Sequence, residues 1–311
     1  MSVNGEHKTV LLAEAVSGLI TDFDGLYIDG TFGRGGHTSL ILSQLSGLGK
    51  LLAIDKDPEA CDTARKRFSA DERFEITQTS FSSIRQLVEQ KNFSGKVSGV
   101  LLDLGVSSPQ IDDSARGFSF LKDGPLDMRM NPNCGASAAD WLSIAEEQEI
   151  AKVLKDFGEE RYSKRIARAI VSARHVKPIT RTVQLANIIK DANPSWEKNK
   201  HPATRAFQGI RIFINKELDD LKKALPDILE ILAVGGRLVV ISFHSLEDRI
   251  VKRFIRDQEK GNSVPKGFPI FEKDIIRRMC SITKAVKSTD LEIKNNIRAR
   301  SAVMRIAQKV I

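Results

Sequence analysis

Cysteine is scarce in this chain, and its three copies lie far apart at Cys61, Cys134 and Cys280. There is no CxxC pair and no histidine at ligand spacing. The sequence therefore predicts neither a disulfide framework nor a zinc site, and a reducing, cytoplasmic setting fits best. Long apolar runs are missing too. No stretch approaches the roughly 20 apolar residues of a membrane-spanning helix. The opening MSVNGEHKTVLLAEAV has no basic region leading into an apolar core, so no secretory signal is expected. Acidic residues are nearly absent from residues 161–211, where Asp191 and Glu197 face 12 Lys and Arg.

The remaining charge is just as uneven. The formal net charge of +8 divides into −9 over residues 1–160, +10 over 161–211, −3 over 212–248 and +10 over 249–311. An acidic front and two basic blocks suit a chain that grips a polyanion with some parts and not others. At 311 residues a single core nears its practical limit, and two domains are expected.

The first hundred residues alternate strand and helix signals. Apolar runs at Leu26–Asp29, Leu51–Asp55, Phe74–Thr77 and Gly99–Leu104 read as strands. His37–Leu45, Pro58–Phe68 and Ser82–Glu89 read as helices, the second opened by Asp57 as N-cap with Pro58 in its first turn. Strands apolar throughout suit a parallel sheet covered on both faces, with ligands held at the strands' C-terminal ends. The rhythm then breaks. Residues 105–135 read as a long ordered loop, and the following helices as a capping-box helix from Ser143 and Glu146, then Arg161–His175, Thr182–Ala192 and a longer helix from about Ala203 through Leu225. Strand signals return at RLVVISFH and SAVMRIAQKV. The expected fold class is α/β, a Rossmann-like doubly wound sheet interrupted by a helical domain. Residues 1–110 and 214–311 would form the sheet domain and residues 111–213 the insert.

The densest chemical signal is YIDGTFGRGGH, Tyr27 to His37, with glycines at 30, 33, 35 and 36. Such a loop lets backbone approach a ligand and leaves helix N-terminal N–H groups to bind it. The dinucleotide fingerprint GxGxxG fails, because Thr38 stands where its third glycine belongs. Asp55, at the end of the next strand, suits the two ribose hydroxyls of an adenosine. Loop and acid together resemble the S-adenosylmethionine site of class I methyltransferases. Phe81 suits an adenine face or a core position equally. Asp103 ends the fourth strand and Gln110 follows in the next loop. Asp103 has the chemistry to bind the cofactor's ammonium, to accept a proton from an amine acceptor, or to do both.

Longer strings make the resemblance specific. HKTVLLAEAV, YIDGTFGRGGHT, LLAIDKDP, GVLLDLGVSSPQIDDSARGFSF, DGPLDMRM, GEERYSKRIARAIV, HPATRAFQGIRIFIN, GGRLVVISFHSLEDRIVK and RARSAVMRIA occur in this order across essentially the whole chain. Together they resemble the 16S rRNA cytosine-N4 methyltransferases, the family of ribosomal RNA small subunit methyltransferase H. The resemblance implies a class I S-adenosylmethionine-dependent methyltransferase domain with an inserted helical domain. It also implies methylation of the N4 amine of a decoding-site cytosine of 16S rRNA, with an assembled or near-assembled 30S subunit as partner and no metal. Its cofactor contacts map onto Gly35, Gly36, His37, Asp55, Phe81, Asp103 and Gln110, with Asp103 also the catalytic candidate. His244 and Ser245 are further candidates for lining the base site. Arg161, Lys164, Arg165, Arg168, Arg174 and Arg181 are expected to grip the RNA. Ile297 departs from the family's usual proline before RARS, a change expected to loosen a turn. Oligomeric state is left open, a dimer included. Two rivals stay open at this point: a nicotinamide-dependent dehydrogenase sharing the sheet and Asp55, and a non-enzymatic RNA-binding protein.

Overall fold

The structure, a computed structural model, describes residues 9–195, 201–261 and 275–311. His7 and Lys8 of the HKTVLLAEAV string therefore lie outside the described residues. The chain forms two compact units, one of Met1–Gly105 with Leu218–Ile311 and one of Val106–Glu217. The divisions fall at 105/106 and 217/218, against 110/111 and 213/214 in the sequence reading.

The first unit begins with α1 (Leu12–Leu19), β1 (Leu26–Asp29), α2 (Gly36–Gln44), β2 (Lys50–Asp55), α3 (Pro58–Arg67), β3 (Phe74–Gln78), α4 (Ile84–Gln90) and β4 (Val97–Asp103). The second unit holds α5 (Ser108–Asp112), α6 (Ala138–Ile144), α7 (Glu147–Asp156), α8 (Ser163–Val176), α9 (Thr182–Ala192) and α10 (Thr204–Asn215). The chain then returns to the first unit through α11 (Glu217–Ile231), β5 (Leu232–Ser242), α12 (Ser245–Lys260), β6 (Met279–Ser281), β7 (Val286–Lys287), α13 (Asp290–Asn295) and β8 (Val303–Lys309).

The strands form one sheet in the order β3-β2-β1-β4-β5-β8-β6, with β7 also paired to β8. The five strands from β3 to β5 are parallel, and β8 runs antiparallel to β5. This is the doubly wound α/β sheet expected from the sequence, parallel at its centre and closed at one edge by antiparallel strands. Residues alternate across it into two cores. Ile28, Leu52, Val100 and Val240 pack with α4, α11 and α12, while Tyr27, Leu51, Leu101 and Val239 pack with α1 and α2. Burial on both faces explains why these strands read as continuous apolar runs rather than alternating ones. Strand order reverses at β1, which has β2 on one side and β4 on the other. A crevice for ligands opens at the carboxyl ends of strands at such a switch point.

The helical unit has its own core, in which Leu126, Trp141, Leu154, Ile166, Ile170, Leu185 and Ile210 are buried together. Three expectations need correction here. The helix expected behind Ser143 and Glu146 is α7, which has Glu146 at its N-cap and no side-chain cap; a capping box instead opens the preceding helix α6, where Ser137 and Asp140 each bond the other's backbone N–H. Ser143 instead lies inside α6 and donates to the Asp140 carbonyl at 2.7 Å. The box at α6 is closed by Asp rather than Glu and so lies outside the S-x-x-E pattern. The helix expected from Ala203 through Leu225 is two helices. Lys216 between them is left-handed at φ 54°, and the Asn215 amide donates to the Arg211 and Met128 carbonyls. Finally, residues 105–135 are not loop throughout. They contain α5 and a 3-10 turn, Ser114–Arg116, whose arginine is buried and donates to the Met130 carbonyl at 2.8 Å. In the first unit, the helix expected at Ser82 starts at Ile84, after the 3-10 turn Phe81–Ser83.

Candidate active site

Strands β1, β2 and β4 each end on an aspartate: Asp29, Asp55 and Asp103. The switch point thus places three carboxyl groups along one sheet edge. Asp29 was not singled out from the sequence, although a strand-final Asp recurring in LYID, LLAID and GVLLD was the available signal. Asp29 is only 1% exposed. It accepts the Thr38 hydroxyl at 2.7 Å and the Thr31 N–H at 3.2 Å. Burial pushes its pKa up to about 6. Thr31 passes the connection on, because its hydroxyl oxygen accepts the Asp103 N–H at 2.6 Å. Asp29 therefore ties the loop after β1, the first turn of α2 and the end of β4 into one piece.

The glycine loop is shaped by backbone needs. Gly33 and Gly35 have φ of 56° and 72°, a region that costs residues with a Cβ roughly 1 kcal/mol or more. Gly35 caps α2. A Cβ on Gly36 would lie 1.8 Å from the Thr9 hydroxyl oxygen, so the N-terminal segment closes directly over the loop. The first N–H groups of α2 have no partner within the helix and point at its N-terminal end, where an anion is favoured.

Asp55 folds over this loop. Its two oxygens accept the Gly33 and Asp57 N–H groups, each at 2.8 Å, and burial raises its pKa to about 6. Each carboxylate oxygen keeps a further lone pair for a hydroxyl donor. Phe81 opens the 3-10 turn after β3 and is half-buried against the sheet core. A Cβ on Gly30 would stand 3.5 Å from that of Phe81, so the backbone of this turn runs beside the loop.

His37 is buried at the start of α2 with its Nδ1 3.7 Å from Asp103 Oδ2. Asp103 Oδ1 is buried and meets no hydrogen-bond donor among the described residues. Burial, together with the negative charges of Asp29 and Glu247, holds the Asp103 carboxyl well above the ordinary carboxylate range. Glu247 was also missed from the sequence. It is buried in the first turn of α12, accepts the Phe243 N–H at 2.8 Å and lies 3.1 Å from His244 Nε2. His244 caps α12, and its strand β5 pairs with β4 so that Ile241 sits opposite Asp103. The structure thus brings Gly35, Gly36, His37, Asp55, Phe81 and Asp103 to one edge of one unit, with His244 and Ser245 opening α12 just beyond β5. Gln110 belongs to the helical unit. There its side chain closes a capping box with Ser107, accepting the Ser107 N–H at 2.9 Å.

The profile of the MraW methylase family matches residues 4–310. The chain belongs to the MraW methylase family. Membership makes it an enzyme, a methyltransferase whose cofactor is S-adenosylmethionine, and it removes both the dehydrogenase and the non-enzymatic alternatives. This MraW-family chain is also 54% identical over 312 residues to ribosomal RNA small subunit methyltransferase H of Pseudoalteromonas atlantica, covering 100% of each chain. Solved structures align far more loosely. An rRNA methylase from Streptococcus thermophilus is 12% identical, over 96% of this chain and 92% of its own, with a TM-score of 0.42. A SAM-dependent O-methyltransferase from Thermotoga maritima is 10% identical, over 95% and 63%, with a TM-score of 0.39.

The residues present suit the cofactor. Asp55 offers acceptors to ribose hydroxyls, the α2 N-terminus offers donors to a carboxylate, and Asp103 Oδ1 is a buried acceptor that meets no donor among the described residues. Among the described residues no helix is long and apolar enough to cross a membrane.

Proposed function

We propose that the protein methylates the N4 exocyclic amine of a decoding-site cytosine of 16S rRNA, position 1402 in standard rRNA numbering. Its substrate would be an assembled or near-assembled small subunit. The full-length identity to a ribosomal RNA small subunit methyltransferase H supports the RNA. The observation that carries the chemistry is Asp103, a buried strand-end carboxyl with one oxygen that meets no donor among the described residues.

The N4 lone pair of cytosine is delocalised into the ring, so the amine is a weak nucleophile. Reaction demands close positioning and an acceptor for the proton lost as the N–C bond forms. S-adenosylmethionine supplies an electrophilic methyl group on its sulfonium. Asp103 is the residue to hold the amine and take its proton, because a carboxylate with a raised pKa is a better base than an ordinary one. His37 lies against its second oxygen, and Thr31 and Asp29 fix the backbone that carries it. In this reading Asp55 takes the ribose hydroxyls, Phe81 the adenine face, and Gly35, Gly36 and His37 the amino-acid end. Gln110 is the remaining assigned contact, with its amide oxygen engaged in the α5 cap. His244 and Ser245 are candidates for the base. The helical unit would hold the RNA, whose target base must be splayed out of its stack to react.

The test is transfer of labelled methyl from S-adenosylmethionine to small-subunit particles, followed by digestion to nucleosides. Label in N4-methylcytidine is expected. Label in another nucleoside, or none, would sink the assignment.

A further inference from the structure

A charged cluster stands just outside Asp55 and has no task in the reading above. Lys56, the residue after Asp55, pairs its ammonium with the Asp220 carboxylate on α11. The Ser80 hydroxyl, just past β3 at the cap of the 3-10 turn, donates to the same Asp220 oxygen at 2.8 Å. Ser80 Oγ in turn accepts the Ser82 N–H at 3.1 Å and the Ser82 hydroxyl at 2.9 Å. Asp220 is thus held by the turn after β3 while it holds the residue that follows β2.

The consequence lies in what Lys56 would otherwise do. A lysine stem is flexible and four carbons long, so an ammonium on the residue next to Asp55 has the reach to fold back onto that carboxylate. There it would occupy the lone pairs that ribose hydroxyls need. A nearby ammonium would also hold Asp55 in its charged form, whereas its pKa is raised to about 6, as expected for a buried carboxyl whose neighbouring cation faces elsewhere.

We propose that Asp220 is a positioning residue for cofactor binding: it draws Lys56 away from Asp55 and so keeps the Asp55 oxygens available to the ribose. The proposal rests on the assignment of Asp55 to the ribose hydroxyls.

The experiment measures the affinity of the full-length protein for S-adenosylhomocysteine by calorimetry. Asp220→Ala and Asp220→Asn are both expected to bind about tenfold more weakly, the scale of one charge-assisted hydrogen bond. Asp220→Asn keeps an acceptor for Ser80 and guards against a simple folding defect, which the unfolding midpoint of each free variant reads directly. The decisive arm is the double variant Lys56→Met with Asp220→Ala. It is expected to recover wild-type affinity, because no ammonium remains to reach Asp55. A purely structural role for Asp220 would not be rescued by removing Lys56. Wild-type affinity in Asp220→Ala, or a double variant as weak as Asp220→Ala, overturns the proposal alone. Unchanged affinity in Asp55→Ala overturns the ribose assignment itself, and the proposal with it.

Discussion

In the proposed reaction Asp103 would combine two properties that usually exclude each other in a carboxyl group: it is hard to ionise, and it would have to collect a proton. Its Oδ1 meets no donor among the described residues, and burial with two neighbouring acids raises its pKa. A base of this kind works only in its ionised form, so turnover should rise with pH through the Asp103 titration and then level off. Replacement Asp103→Asn preserves shape and removes the base. It is expected to lower kcat by about 10²- to 10⁴-fold while affinity for S-adenosylhomocysteine stays near wild type. An affinity loss with little change in kcat would instead assign the residue to the cofactor's ammonium. Asp55 gives a second pH signature. Hydroxyl donors favour its charged form, so cofactor binding should tighten as pH rises through its pKa of about 6. From pH 5 to 7 the gain should be about tenfold, one pKa unit being one decade, and Asp55→Asn should flatten the profile. For stability the sign is opposite. The folded state holds protons on Asp29 and Asp55 up to about 6, whereas an unfolded aspartate releases them near about 4. These two groups therefore withdraw stability as pH rises across that window.

Elements were legible in the sequence wherever one local pattern decided them. The strand Leu26–Asp29 and the helix Thr182–Ala192 have the boundaries their patterns predict, and Asp57 caps α3 by accepting the Glu59 N–H at 3.0 Å. One misread element depends on distant partners. The α10–α11 break is fixed by Asn215 bonding Met128 and Met130, which periodicity cannot show. The site follows the same rule. Glycine loop and strand-end acids are local, whereas Asp220 meets Ser80 across 140 positions. Close packing between elements is equally invisible until the fold is seen. Gly209 on α10 approaches Gly158 so closely that an added Cβ would lie 2.8 Å from the Gly158 nitrogen. Both are backbone positions that cannot swing aside. Gly209→Ala gains about 1 kcal/mol of helix propensity, but overpacking costs roughly 1–3 kcal/mol, so a net loss of stability is expected. Both tryptophans fall within the span of the helical unit, and their fluorescence during urea unfolding reports it directly. A midpoint at or above wild type would show that the helices can part without cost.

Across the whole molecule, the uneven charge gains a structural address. The stretch 1–160, at −9, contains β1 to β4 with their buried carboxyls and has no need to attract phosphates. The first +10 block, residues 161–211, falls wholly within the span of the helical unit, and its cations divide by what they touch. Lys164 and Arg165 are exposed on α8. Arg168 is exposed but lies 3.7 Å from Glu147, and Arg181 is paired with Asp123 at 2.7 Å. Arg174 departs from the expected RNA-gripping role, because its guanidinium turns inward and donates to the Leu142 and Ala145 carbonyls at 2.6 and 2.7 Å. It secures the C-terminal end of α6. The two kinds of arginine should separate in one experiment, measuring affinity for small-subunit RNA against salt. Each lost phosphate contact lowers the slope of log K on log salt by about 0.7–0.9. The pair Lys164→Glu and Arg165→Glu should therefore weaken binding and flatten that slope by roughly 1.5, leaving unfolding unchanged. Arg174→Gln should do the reverse, lowering the unfolding midpoint of the helical unit while the slope stays as in wild type. A slope unmoved by the double charge reversal would remove this face of α8 from the RNA contact and direct attention to the second basic block, residues 249–311.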